Sequence, residues 1–250
     1  MPIANLLRTP LIALPLRNAN FGIYSLGSAV SLTGMWMQRI AIGWLTWQLT
    51  ESGFWLGVVS FADFFPVILI APFAGAAADR WDRLRVVKIS QLILLAQALV
   101  LFAATASGHI GVGLIIALTA FQGIVVAFNQ PARLALVPSL VPQPDLGAAV
   151  AINSVVFNLA RFIGPVFAGL AIVWSGVAAA FAANALSYVL FVIALARIHI
   201  PPGEAASPAA PRSFFADVRD GIRYTVRHPL IGTLFALLIA IGVGGRPLTE

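Results

Sequence analysis

Residues 75–85 read Gly75-Ala76-Ala77-Ala78-Asp79-Arg80-Trp81-Asp82-Arg83-Leu84-Arg85; they close one long apolar run, Phe54–Ala78, and lead into a second, Val86–Ala106. Roughly 18 or more consecutive apolar residues are enough to cross the hydrocarbon core of a bilayer. Backbone N–H and C=O groups in lipid must be bonded within their own segment, so runs of this kind are expected to be α-helices. Two such runs joined by a short, arginine-rich loop describe a membrane helical hairpin. No segment shows the alternation over about 10 residues that marks a membrane β-barrel strand.

Working outward, four more runs complete a set of six: Ala19–Leu49, Ile110–Gln130, Ala148–Trp174 and Val177–Ala196, with a seventh at Leu230–Gly245. The first exceeds the ~20 residues a crossing needs, so it is expected to tilt or to project from the membrane. Composition agrees. The chain is 60% hydrophobic and only 10% charged, against about 25% charged for an ordinary soluble domain. Its net charge of +6 is a matter of loop placement, and no nucleic-acid partner is expected. Arg8, Arg17, Arg80, Arg83, Arg85, Lys88, Arg133, Arg197, Arg212, Arg219, Arg223 and Arg227 fall on one side. The opposite turns, near Glu51, His109 and Ser175–Gly176, carry no Lys or Arg. Basic loops stay in the cytoplasm. The expected organisation is therefore a cytoplasmic N-terminus over 1–18, a six-helix half over 19–197, a cytoplasmic linker over 198–228 and a seventh helix over 229–250. Pro201–Pro211 is rich in Pro and Ala and reads as a flexible linker. Beyond it, Phe214, Val218 and Ile222 recur at helical spacing among Arg219, Arg223 and Arg227, as in a basic amphipathic helix on the inner leaflet. The start of the chain, broken by Arg8, Pro10, Pro15 and Arg17, does not read as a cleavable signal.

Several chemistries are excluded. With no cysteine there is no disulfide framework and no thiolate metal site. Lys88 is the only lysine and has no phosphate-binding glycine loop, which rules out a Walker-type ATPase. His109, His199 and His228 are scattered and form no H-E-x-x-H helix. Ser25, Ser28 and Ser31 have no His/Asp partner in their span and are better read as small residues for close helix packing. No cofactor, metal or enzymatic activity is expected.

The 75–85 stretch resembles the loop signature of the major facilitator superfamily, G-x-x-x-D-R-x-G-R-R. Gly75, Asp79, Arg80 and Arg83 match it; Asp82 stands where Gly is usual, and Leu84 interrupts the trailing basic pair. In this reading Gly75 permits a close helix approach, and Asp79 ends its helix and meets a helix N-terminus elsewhere. Gln122-Gly123 is similar to the end of the R-x-x-Q-G motif of the fourth span, with Thr119 in place of the arginine. Arg161-Phe-Ile-Gly164-Pro165-Val-Phe-Ala-Gly169 resembles the Gly-Pro motif of antiporters in the fifth span, where Pro165 favours a kink. Ser31–Arg39, Trp44, Asn129–Arg133 and Arg227–Leu230 resemble the branch holding the enterobactin exporter and macrolide-efflux-like proteins. The resemblance implies an all-α membrane fold: the six-helix N-terminal bundle of a major facilitator plus a seventh transmembrane helix. Such transporters place substrate between two six-helix halves, so the chain reads as a truncated or partial sequence lacking most of a C-terminal half.

Arg39, Asp63 and Arg161 are the charges expected deep within the six spans, Lys88 lying at the loop end of its own. Each costs at least ~2.5 kcal/mol at the bilayer centre and needs a partner or a wet cavity. Counting at 1.5 Å per residue puts all three about 13–20 Å from the same surface. Asp63 can pair with either arginine to fix helix packing, or serve as a proton-coupling site. Two arginines against one acid leave a positive layer suited to an anionic or catechol-like substrate. The expected partners are the lipid bilayer, a small-molecule substrate, protons and the missing C-terminal half. The expected function is ion-driven export of a drug or siderophore across the cell (inner) membrane. A non-transporting membrane protein is the alternative, and an intramembrane enzyme has no catalytic constellation to support it.

The loop charges predict that single cysteines at Ser52 and Gly176 react with an impermeant thiol reagent applied to intact cells. Labelling of both only after lysis would reverse the orientation.

Overall fold

The computed structural model describes Leu16 and residues 18–199, apart from the side chains of residues 76, 78 and 79. The seventh span, and all but the first two residues of the 198–228 linker, lie outside the described residues. Within them six long helices follow one another: α1 Ala19–Thr50, α2 Gly53–Arg80, α3 Arg83–Ala106, α4 Val112–Leu136, α5 Leu146–Ser175 and α6 Val177–Ala196. Two 3-10 turns, Val137–Ser139 and Gln143–Asp145, join α4 to α5, and there is no strand among the described residues. Five helical segments, lying on α2 to α6, are long and apolar enough to cross a membrane. At 32 residues α1 has the length, but Ser25, Ser28, Ser31, Gln38 and Arg39 dilute its apolar content.

Local chemistry explains the helix ends. Asn18 caps α1 by accepting from the Asn20 N–H at 3.0 Å. The α1–α2 turn runs through Glu51 in the left-handed region, φ 46°, whose N–H returns to the Trp47 carbonyl. Asp82, the residue that departs from the loop signature, has a local role: its carboxylate accepts from the Arg85 N–H at 2.8 Å and caps α3. Gly176 makes the one-residue turn between α5 and α6 at φ 81°, a region that L side chains avoid.

The helices alternate in direction, so residues 18 and 199 meet at the end that also carries Arg80, Arg83 and Arg85, here called the basic end. Asn20 Nδ2 donates to the His199 carbonyl there at 2.8 Å. α1 is central, packed along α6 and α5; α2 lies along α4, and α3 sits against both α6 and α4. The apolar core is layered along the bundle. Phe21, Tyr24, Leu136 and Phe191 lie in a cluster at the basic end, and Met37, Leu45, Ile115 and Phe181 belong to a second toward the other end. Leu94, Val125 and Tyr188 join α3, α4 and α6 in a third. α2 and α5 are the least enclosed, with only 17% of their most apolar windows buried. That leaves most of their apolar surface to lipid or to another protein surface.

Glycines mark where backbones touch. A methyl group at Gly164 would lie 2.5 Å from Trp36 Cβ and 3.0 Å from the Thr33 carbonyl oxygen, so α5 meets α1 directly. One at Gly123 would lie 2.6 Å from the Asp63 carbonyl oxygen, where α4 meets α2. Gly75, expected to allow such an approach, has no neighbour within 4 Å of that position among the described residues, and neither does Gly169. Close contacts fall at Gly123 and Gly164 of the fourth- and fifth-span motifs, and at Gly27 and Gly34 of α1 against α6.

A second correction concerns α4. The expected span ends at Gln130, but the helix passes through Pro131 and continues to Leu136. Arg133, counted above among the loop charges, is therefore inside the bundle and only 7% exposed. It adds an enclosed charge to the neighbourhood of the helices, beside Arg39, Asp63 and Arg161.

Candidate functional site

Arg39 on α1 points toward α2, where its Nη2 donates to Asp63 Oδ2. The pair is largely enclosed, the side chains being 27% and 12% exposed. Aromatic rings surround the guanidinium: it lies 4.9 Å from the ring centres of both Trp36 and Phe64. Arg161 on α5 sits 5.5 Å from the Trp36 ring, and Phe157 meets that ring edge-on at 6.1 Å. One tryptophan thus serves two guanidinium groups, a favourable arrangement because a ring face is electron-rich. The structure brings all three expected intramembrane charges into one neighbourhood. It selects Arg39 as the partner of Asp63 and leaves Arg161 exposed on the rim, with the Trp36 face as its described contact. The site carries one net positive charge. Trp36 Nε1 is buried there with no hydrogen-bond partner among the described residues.

The loop signature sits at the basic end, remote from this cluster. Asp79 and Arg80 form the last turn of α2. Arg83 Nη1 donates to the Ala135 carbonyl at 3.0 Å, bonding an orphan acceptor at the end of α4. Trp81 stacks on Phe128 of α4 with centroids 6.1 Å apart. The loop therefore ties α2 and α3 to the C-terminal turns of α4. Pro165 lies one residue beyond the Gly164 contact, within an uninterrupted α5. Among the described residues no group of three or more His, Cys, Asp or Glu side chains converges on a possible metal site.

A family described as transmembrane secretion effector, a major facilitator branch, matches residues 11–244. The chain belongs to this family. Among curated relatives it is 29% identical over 170 residues to a staphyloferrin A transporter of Staphylococcus aureus, covering 66% of this chain and 42% of the relative. It is 27% identical over 215 residues to macrolide efflux protein A of Streptococcus pyogenes, covering 85% and 52%. It is 22% identical over 229 residues to the multidrug efflux pump Tap of Mycobacterium tuberculosis, covering 88% and 54%. The chain spans about half the length of these relatives. Family membership and apolar helices together make it a multi-pass membrane protein.

In this major facilitator chain, the most extensive polar feature is one the sequence reading did not assemble. Gln38 on α1 donates to Gln97 Oε1 on α3 at 3.1 Å and to Gln122 Oε1 on α4 at 2.5 Å. Its own carbonyl accepts from Asn184 Nδ2 on α6 at 2.7 Å, and Ser187 Oγ donates to Asn184 Oδ1 at 3.0 Å. Gln38 and Asn184 are fully buried. Four helices are thus joined through one amide, and the fourth-span Gln122 belongs to this lattice while its neighbour Gly123 abuts Asp63. The signal was present in the sequence as amides at similar depths in apolar runs, since such groups are expected to bond across helices.

Replacing Gln38 with leucine removes the shared partner of three buried amides. Each orphaned group costs about 1–3 kcal/mol. The expected result is a clear fall in the unfolding temperature of the detergent-solubilised protein. An unchanged unfolding temperature would show that the lattice contributes nothing to stability.

Proposed function

We propose that this chain forms the N-terminal half of a secondary-active exporter of small organic molecules in the bacterial cell membrane. In this reading all six described helices cross the bilayer and the basic end faces the cytoplasm. The exposed apolar faces of α2 and α5 meet lipid and a second, C-terminal half. The observation that carries the reading is the Trp36–Arg39–Asp63–Arg161 cluster. From the helix ends at Thr50, Gly53 and Ser175, its charges lie about 15–21 Å along their axes. Charges kept at such depth mark substrate or ion paths. The names of the relatives support transport of small molecules, and the loop signature supports a role for Asp79 in contact with the second half.

The geometry favours a substrate with an acidic group and a flat unsaturated part. Asp63 offsets Arg39 and leaves Arg161 to hold the acid, while the exposed aromatic edge of the cluster receives the flat part. The buried N–H of Trp36 is a further donor. Asp63 is the proposed proton carrier, and its coupling has a definite sign. A proton on Asp63 frees Arg39, and a second guanidinium tightens the grip on an anion. Exchange of an outgoing anion for an incoming proton needs the opposite sign, which this cluster by itself does not supply. The inside-negative membrane potential independently favours outward movement of an anion by about 2.3 kcal/mol per charge per 100 mV.

The test is uptake of a fluorescent organic anion into inside-out vesicles carrying the two-half transporter. Arg161→Gln is expected to raise the half-saturating concentration about tenfold or more, as loss of a charge-assisted hydrogen bond worth about 1.5–3 kcal/mol implies. The unfolding temperature should hardly change, because Arg161 is exposed. Unchanged half-saturation would remove Arg161 from the substrate site.

A further inference from the structure

Arg133 poses a problem that the transport site does not resolve. Its guanidinium is enclosed among α1, α4 and α6, donating to Ser28 Oγ at 2.6 Å and lying 4.9 Å over the Phe191 ring. No carboxylate pairs with it among the described residues. Deeper in the bundle, Gln91 Nε2, Asn129 Oδ1 and Tyr188 OH have no well-aligned hydrogen-bond partner among the described residues; the Asn184 side chain neighbours the Tyr188 hydroxyl. Gln91, Asn129 and Tyr188 are 0%, 4% and 1% exposed. They come from three helices at one level, eight residues from the start of α3, seven from the end of α4 and eight from the end of α6. That is about 10–12 Å from the basic end.

The packing of α3, α4 and α6 places the three on adjoining helix faces. Tyr188 packs with Leu94 and Val125. Gln91 is one turn from Leu94 on α3, and Asn129 is one turn from Val125 on α4. Ser31 Oγ donates to Gln91 Oε1 at 3.1 Å, which turns that amide toward α1. Asn129 and Arg133 are four residues apart on α4, and Tyr188 is three from Phe191 on α6, so the same faces continue down to the guanidinium. We propose that the space among Gln91, Asn129 and Tyr188, above Arg133, is a chamber that binds buried water.

The chemistry of the free atoms selects the ligand. Gln91 Nε2 donates, Asn129 Oδ1 accepts, and the Tyr188 hydroxyl does either. A cation suits only the acceptors and is repelled by Arg133. An anion suits the donors and leaves Asn129 Oδ1 facing a negative charge. Water donates and accepts, and buried water commonly bonds to about three polar groups of this kind. Hydration of the chamber also solvates the Arg133 guanidinium, which has no carboxylate partner among the described residues.

The purified protein in lipid nanodiscs can be exposed to X-ray-generated hydroxyl radicals, with oxidation read by mass spectrometry. Radicals formed from bound water attack neighbouring side chains, so Tyr188 is expected to be oxidised at least about fivefold faster than Phe181, which is equally buried but lies in an apolar cluster. Equal protection of the two would overturn the proposal. Replacing chloride with gluconate should leave the unfolding temperature unchanged; a chloride-dependent shift would assign the chamber to an anion and overturn it as well.

Discussion

A guanidinium group at mid-depth in a helical bundle has no bulk water to turn to, and Arg39 finds Asp63. This ion pair is what holds α1 to α2, because the packing between those helices is otherwise slight while α2 lies along α4 for much of its length. Asp63 serves both neighbours. Its carboxylate takes Arg39 from α1, and its carbonyl oxygen abuts the bare surface of Gly123 on α4. At this one residue the contacts of α2 with α1 and with α4 meet. That residue also determines which arginine keeps its charge available to the site.

α1 presents a different chemistry on each side. Toward α2 and α5 it carries Trp36 and Arg39, with charge, aromatic faces and a rim open to solvent or to a second half. Toward α3, α4 and α6 it carries Ser28, Ser31 and Gln38, which meet Arg133, Gln91 and a four-helix amide lattice. Interhelical hydrogen bonds in membranes contribute on average about 0.6 kcal/mol each. Their value here lies in direction as much as in energy, because Gln38 must face three partners at once and so fixes the rotation of α1. With that rotation set, Arg39, the next residue, is delivered to Asp63.

The helix positions were legible because lipid demands apolar runs, and their ends needed little adjustment. The common depth of Arg39, Asp63 and Arg161 followed from counting residues. Counting gives height along the axis but no rotation about it, so the choice between Asp63 partners stayed open. The Gln38 lattice was missed for the same reason: its members are ordinary amides until rotation brings them together. Arg133 was placed outside because the apolar run reads as ending at Gln130, whereas the helix continues through Pro131 to Leu136, as a helix can where neighbours bond the freed carbonyl. Gly75 fits the family's spacing, while among the described residues the close helix contacts fall at Gly27, Gly34, Gly123 and Gly164.

The central claim is that Arg39 and Asp63 act as a pair within the bundle. A double-mutant cycle on the unfolding free energy measures this, using Arg39→Gln, Asp63→Asn and both together, with Arg161→Gln as the control. Breaking the pair from either side should cost about 3 kcal/mol, at the low end for buried pairs because the Arg39 side chain is 27% exposed. The account predicts that the double variant loses much less than the sum of the two, and that Arg161→Gln does not rescue Asp63→Asn. Additive losses, or rescue by Arg161→Gln in place of Arg39→Gln, would contradict it.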